Sequence, residues 1–371
     1  MTADIFLAGA GQTAFGEHWD RGLRELMDEA VDRAIAASPC TALDIDFVIV
    51  ANMLAEFANA QAHLGAMAAS LLPHRPPAIR VEAACASGAV ALHTACALLE
   101  SGRCETVLVI GVEKMTDADP GVIATGLMGA ADTERDVPVG MTFPGIFGMI
   151  ALRYMHEYGL SREDLSLVSA CHHDNAMENP FAQFHRRITR EAVSGSTMVA
   201  DPLRLLDCSP ISDGAAACIL STKHRSPTRI AASQIATDTL SITERDCLTS
   251  FPATREAARR AWKEAGIRPE DISHIETHDC FSIAAVINLE DLGFAAPGKG
   301  IGLYKMANPP VTVNGSGGLK ACGHPVAATG VKQICDTAKQ LAASGNRYGL
   351  AHNFGGIAAT SCIHILDHGN S

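Results

Sequence analysis

Apolar positions along the chain change period repeatedly, and each change predicts an element. Residues 5–11, IFLAGAG, read as a buried strand that breaks into a glycine-rich turn. Across residues 23–37, Leu26, Ala30, Ala34 and Ile35 recur at helical spacing, with acids and arginines on the opposite face. Residues 44–53 carry the run IDFVIVAN, a second buried strand. Residues 64–72 predict an alanine-rich helix, and residues 78–82 a short strand ending among small residues. An apolar helix follows to about residue 100, and the β-branched residues 106–112 predict another strand.

The second half repeats this order. An amphipathic helix at 254–265 is closed by Gly266, and IRPEDISHIETHD then gives a turn, a capped loop and a strand. Residues 311–314 lead through a glycine-rich turn to a helix at about 326–343 and a strand at 347–352. LMDEAVDRAIAASPCTALDIDFVIVAN and AARRAWKEAGIRPEDISHIETHD share their helix–loop–strand order and the acid–Ile spacing before each strand. An internal duplication of a βαβ-rich unit follows, with a layered α/β architecture. The expected division is an N-terminal half at residues 1–222 and a C-terminal half at 223–371. Residues 118–199 interrupt the first half with the aromatic run MTFPGIFGMIALRYMHEYGL and a turn at Asn179-Pro180. An insertion of this size is expected to be a lid or a substrate-binding subdomain.

Composition narrows the class. Hydrophobic residues make up 47% of the 371 and charged residues 19%, which describes a well-buried globular protein. A net charge of −12 argues against a nucleic-acid partner, whose phosphates need a basic face. No apolar run reaches the ~20 residues of a membrane span, and MTADIFLAGAG has no signal-peptide pattern. The 12 cysteines are scattered through apolar and small-residue segments without a CxxC pair, so a zinc ribbon is not expected. They read as the reduced thiols of a cytoplasmic enzyme.

Cys85 stands out among them. In VEAACASGAVALHTACALLE it lies where a strand hands over to a helix, where unpaired amides and the helix dipole favour a thiolate. Small neighbours leave room for a carbonyl, so the turn has the form of a nucleophile elbow carrying sulfur. A buried, inert thiol is the alternative. Three further glycine-rich or reactive turns end other strands: His278-Asp279-Cys280-Phe281, the segment NGSGGLKACGHP with His324, and His352-Asn353-Phe354-Gly355-Gly356. Such loops converge at the carboxyl ends of strands in α/β sheets, which is where ligands collect.

CASG, HDCF, GHP and HNFGG, in this order, resemble the four active-site blocks of the thiolase superfamily. NPFAQF resembles the thiolase insertion signature, and SDGAAACIL the strand after it. HDCF and HNFGG place the likeness nearest the branch of sterol-carrier-protein-linked thiolases and their archaeal and bacterial relatives. The resemblance implies a five-layered α-β-α-β-α fold of two duplicated halves with an inserted loop domain. It implies a cysteine acylated at Cys85 and a histidine, His324, that activates the thiol and then helps hold the second thioester's oxygen. His278 would complete that oxyanion site, and the N–H of Gly355, with that of Cys85, would bind the oxyanion of the acyl-enzyme. Asn353 stands where common thiolases carry a second catalytic cysteine, and Cys280 is the implied substitute.

The activity implied is acyl transfer in lipid metabolism: Claisen condensation of acyl-CoAs, or thiolytic cleavage of a 3-oxoacyl-CoA. Coenzyme A thioester is then substrate, with no metal or resident cofactor expected. Arg186, Arg187 and Arg190, from the densest basic cluster of the chain, are candidates for the CoA phosphates, and Phe147 is a further candidate for binding CoA. A homodimer or tetramer is implied. A second reading keeps the fold but changes the acceptor: a non-CoA carbon nucleophile, or aldol-type cleavage of a steroid side-chain thioester, with a small OB-fold/zinc-ribbon partner protein. A third, a non-catalytic scaffold, has no use for a thiol at a helix start.

Overall fold

The computed structural model describes residues 4–369. Its strands are β1 (Phe6–Gln12), β2 (Phe47–Ala51), β3 (Ala78–Val81), β4 (Thr106–Glu113), β5 (Met198–Ala200), β6 (Leu203–Arg204), β7 (Gly214–Ser221), β8 (Thr228–Thr237), β9 (Ile272–Glu276), β10 (Thr312–Val313), β11 (Tyr348–Gly355) and β12 (Thr360–His368). β5 and β6 form a small hairpin; the other ten run in the order β10-β9-β11-β12-β8-β1-β7-β4-β2-β3. β1 and β8 are paired only at Phe6 with Arg229, with Ile230 N–H on the Ile5 carbonyl beside it, so the ten strands form two five-stranded halves joined by a short seam.

The two sheets have one topology. In the first, β1 is antiparallel to β7 and β7 to β4, while β4, β2 and β3 run parallel. In the second, β8, β12, β11, β9 and β10 repeat those relations in the same order. The duplication read from sequence is therefore present strand for strand.

Helix Ser87–Glu100 and helix Thr329–Ser344 fill the layer between the sheets, and their apolar faces share one core with both. Their contact is made by glycines. A Cβ at Gly330 would fall 2.4 Å from the amide nitrogen of Ala89, and one at Gly88 would fall 2.5 Å from the carbonyl oxygen of Ala327. Helix Leu23–Ala36 covers the outer face of the first sheet, and helix Pro252–Ala265 that of the second. The layers are α, β, α, β, α.

The insertion carries helices Pro120–Met128, Phe143–Tyr158, Arg162–Asn175 and Arg190–Gly195. Its core is not its own. Ile146, Phe147, Ile150, Tyr154, Leu165 and Val168 pack with Phe281, Ile283, Val286, Ile287 and Phe354 of the second half. That packing draws the insertion over the HDCF segment, which ends β9 and opens helix Ser282–Asp291. Among the described residues no helix is long and apolar enough to cross a membrane.

Candidate active site

Between Val81 at the end of β3 and Ser87 at the helix start, residues 82–86 make a tight, capped turn. Ser87 Oγ accepts from the Ala83 amide at 2.9 Å and donates to the Ala84 carbonyl at 2.6 Å. Ala84 is held at φ +52°, a left-handed conformation unfavourable for a residue with a Cβ. This strained residue lifts Cys85, the next in the chain, into a cavity of about 280 Å3. The elbow expected from sequence is thus a structural fact.

All four blocks meet at this cavity. Cys85, His278, Cys280, His324 and Gly356 line it, and Phe143 and Phe147 of the insertion form its apolar wall with Phe281. Phe147 is fully buried and stacks on Phe281 at 4.6 Å between ring centroids. Ligand atoms of Cys85, His278 and His324 all lie within 4.8 Å of one another. The arginines do not join them: Arg186, Arg187 and Arg190 are exposed and outside the cavity lining, Arg187 near Asp174 and Arg190 on the carbonyl of Glu163. A cavity of this size takes an acyl-thioester end and leaves the rest of a large cofactor-like substrate outside.

The two histidines are held in different tautomers. Thr329 Oγ1 donates to the Pro325 carbonyl at 3.1 Å, so its oxygen accepts from His324 Nδ1 at 2.7 Å. His324 Nε2 is then a lone pair, buried and without a protein partner. Asn353 Nδ2 donates to His278 Nδ1 at 2.9 Å, which leaves Nε2–H of His278 as a donor, also buried and unpartnered. One imidazole is set to take a proton and the other to hold an oxygen. Asn353 itself does not line the cavity; it acts on His278.

Supports reach both rings from several elements. Asn288 donates to the His278 carbonyl at 2.7 Å, and Asn314 accepts from the Thr277 amide at 2.7 Å. Ser212 Oγ accepts from the His324 amide at 3.0 Å and donates to Gln183. Gln183, in the NPFAQF segment, donates its own amide to the Cys322 carbonyl. Asp279 accepts from the Leu319 amide at 2.7 Å and pairs with His172 of the insertion at 2.8 Å. Thr329 and Asn288 were missed in sequence, and Ser212 and Asn314 were given no role although they open the SDGAAACIL and NGSGGLKACGHP segments. Thr329 lies one turn past GHP.

The N–H of Gly356 lies near the Cys85 sulfur, beside that of Cys85 itself. Gly355 packs on the elbow backbone, where a Cβ would sit 2.3 Å from the Ala83 carbonyl oxygen. One expectation needs correction: the helix start does not make Cys85 a resting thiolate. Burial pushes its thiol up to about 12, against the smaller opposing pull of those N–H groups. Cys280, the implied acid/base, rests as a thiol too: burial, with Cys85 nearby, pushes it well up. Burial also drives His324 down to about 4 and His278 well below the usual histidine range. The resting pair is neutral thiol and neutral imidazole. Cys322 and His352 are bystanders, the first bonded to the Ser316 carbonyl and the second to Thr277 and Ser361.

Comparison with known proteins agrees with this geometry. The family model for the thiolase N-terminal domain matches residues 5–224, and that for the thiolase C-terminal domain-like region matches 235–368. The chain belongs to the thiolase family. It is accordingly an acyltransferase of the thiolase type. It is 43% identical to an acetyl-CoA acetyltransferase of Methanothermobacter thermautotrophicus, over 98% of this chain and 99% of that protein. It is 30% identical to human sterol carrier protein 2, over 95% of this chain and 70% of that one. Among solved structures, an Ltp2-ChsH2(DUF35) aldolase superposes with TM-score 0.84 at 22% identity, covering 98% of both chains. Human mitochondrial 3-ketoacyl-CoA thiolase superposes with TM-score 0.80 at 17% identity, covering 99% of both. At such identities these two speak for the fold alone.

Proposed function

We propose that this thiolase transfers acetyl or a similar short acyl group between CoA thioesters through an acyl-Cys85 intermediate. The observation that carries the reading is the convergence of Cys85 with two imidazoles of opposite proton state. His324 Nε2 takes the Cys85 proton as the sulfur attacks the thioester carbonyl, and returns it to the departing CoA thiolate. The oxyanion forms beside the N–H of Cys85 and those of the Gly355-Gly356 turn. A second acyl-CoA then enters with its thioester oxygen facing His278 Nε2–H. The Cys280 thiol first gives its proton to His324 Nε2; its thiolate then takes the α-proton, the carbanion takes the acyl group from sulfur, and the released Cys85 thiolate recovers the proton from His324. Thiolysis of a 3-oxoacyl-CoA runs the same steps backwards. CoA thioesters are the only cofactor-like molecules this scheme needs.

Partners and setting follow from the same features. The outer edge of β3 has no strand partner among the described residues, and Ile79 on it is 41% exposed; a second copy pairing there gives the homodimer. Arg186, Arg187 and Arg190 remain candidates for CoA phosphates lying beyond the cavity. All 12 cysteines are free, in keeping with a cytoplasmic enzyme of lipid metabolism. Incubation with acetoacetyl-CoA and CoA is expected to yield acetyl-CoA and an acylated Cys85 peptide. No turnover and no label on Cys85 would sink the reading. The aldol-type alternative with a small partner protein draws support from Asn353, which replaces a thiol acid/base with an amide. Activity seen only after adding an OB-fold/zinc-ribbon protein would favour it.

A further inference from the structure

The same convergence suits a second kind of ligand. We propose that the substrate-free site binds one Zn2+, or a similarly soft divalent cation, through Cys85 Sγ, His278 Nε2 and His324 Nε2. Bound metal and acyl-enzyme then exclude each other. The assignment rests on geometry, independently of which thioester the enzyme uses.

Ligand atoms of the three residues already lie within 4.8 Å of one another. A tetrahedral zinc, with bonds of about 2.0–2.3 Å, needs them only somewhat closer. Both Nε2 atoms are buried and lack any protein partner. Each ring is held through its other nitrogen: His324 donates Nδ1–H to Thr329, the outer arrangement that metal-binding imidazoles show, and His278 reaches the same arrangement once the Asn353 amide on its Nδ1 turns over. The side chains of Ser212 and Asn288 fix the rings' mounting, the first accepting from the His324 N–H and the second donating to the His278 carbonyl. The fourth position faces the cavity, where a water or a substrate oxygen fits.

Proton balance is simple. The Cys85 thiol releases its proton to solvent and binds as thiolate, and His324 already presents a lone pair. His278 moves its proton from Nε2 to Nδ1, and the Asn353 amide turns so that Oδ1 accepts it. That oxygen has no hydrogen-bond partner in its present orientation. Asn353 thus selects between two uses of one ring: amide nitrogen toward His278 gives an oxyanion donor, amide oxygen gives a metal ligand.

The test is titration of the metal-free full chain with Co2+, read by the thiolate-to-cobalt absorption in the near ultraviolet. One Co2+ per chain is expected, displaced by Zn2+, with Zn2+ also slowing iodoacetamide labelling of Cys85. Cys85→Ser removes the band, and His324→Ala weakens binding by at least about tenfold. Asn353→Asp, whose carboxylate can only accept from Nδ1–H, binds metal at least as tightly as the parent while acyl transfer falls. A band that survives Cys85→Ser overturns the proposal. So does its loss in Cys218→Ser, whose sulfur lies 3.5 Å from that of Cys335 in the core, and so does no band at millimolar Co2+. Acetoacetyl-CoA turnover is measured separately, so failure to bind metal leaves the acyl-transfer reading standing.

Discussion

The first sheet and the second deliver their central helices differently. From β3 to helix Ser87–Glu100 the chain needs only residues 82–86; from β10 to helix Thr329–Ser344 it takes residues 314–328. The short connection is held from within: Ala86 N–H on the Ala83 carbonyl at 3.0 Å, Ser87 N–H on the Ala84 carbonyl at 3.1 Å, and the Ser87 hydroxyl on both Ala83 and Ala84. The long one adds to its own backbone bonds two side chains from elsewhere, Asp279 and Ser212, and the hydroxyl of Thr329 at the helix start. One topology, copied twice, thus places a nucleophile by strain and a base by hydrogen bonds. The nucleophile cannot be adjusted without rebuilding the turn, whereas the base can be detuned one bond at a time.

The comparison breaks most violently at Cys85 itself. Cys85→Ala is expected to lower acetoacetyl-CoA thiolysis by about 10⁴-fold or more, since no other group can carry the acyl chain. His324→Ala acts on the same step, so the double variant should be no worse than Cys85→Ala alone. A double variant much worse than either would show two separate routes, and the pairing of turn and loop would fail.

Smaller and more telling is Thr329→Val. Losing the oxygen that fixes Nδ1–H frees His324 to adopt the wrong tautomer. We expect kcat to fall by roughly 10- to 100-fold with KM little changed. Thr329→Ser should restore most of it, because the hydroxyl is the working part. A change in KM alone would mean that Thr329 shapes the cavity and does not orient the base.

Much of this was legible before folding. The apolar periods placed β1, β2, β3, β4, β9 and β11, because strands buried on both faces write compact apolar runs; they did not place β8 and β12, whose runs mix polar residues among the apolar ones. Cys85, His278, Cys280 and His324 were legible as reactive side chains at strand ends. Their supports were not, since Ser212, Asn288 and Asn314 are ordinary polar residues that acquire meaning only from neighbours distant in sequence. The proton state of Cys85 was misread for a related reason. A local reading sees the helix start next to Cys85 but not the apolar wall of Phe143, Phe147 and Phe281 that the insertion brings over it. Gly355 and Gly356 are adjacent and identical, and only the fold shows which N–H faces the sulfur.

The central layer should be unforgiving. A Cβ at Gly330 would meet the Ala89 amide nitrogen at 2.4 Å and the Asn353 Oδ1 at 3.0 Å. Backbone cannot move aside cheaply, so Gly330→Ala is expected to cost about 1–3 kcal/mol, seen as a drop of several degrees in thermal melting. Gly195→Ala, with open space around it, is the matched control and should leave the melt unchanged. Equal melts for the two variants would mean that the helices can separate, and with them the turn and the loop.

The smallest expected effect is one of near constancy with pH. A histidine of ordinary pKa, near 6.5, would be only about a tenth neutral at pH 5.5, and a base that must be neutral would lose most of its rate there. Burial drives His324 down to about 4, so at pH 5.5 nearly all of it still carries its Nε2 lone pair. The neighbouring thiol, pushed up to about 12, keeps its proton throughout the same range. Protonation of His324 is the harmful change, and it sets in only as pH falls toward 4. The acylation of Cys85 by acetoacetyl-CoA, followed as a single turnover, should therefore change little between pH 7.5 and 5.5. An acid limb centred near pH 6.5 would mean that the imidazole is wet in the working enzyme, and that the insertion does not close the wall over the loop as it does over the turn.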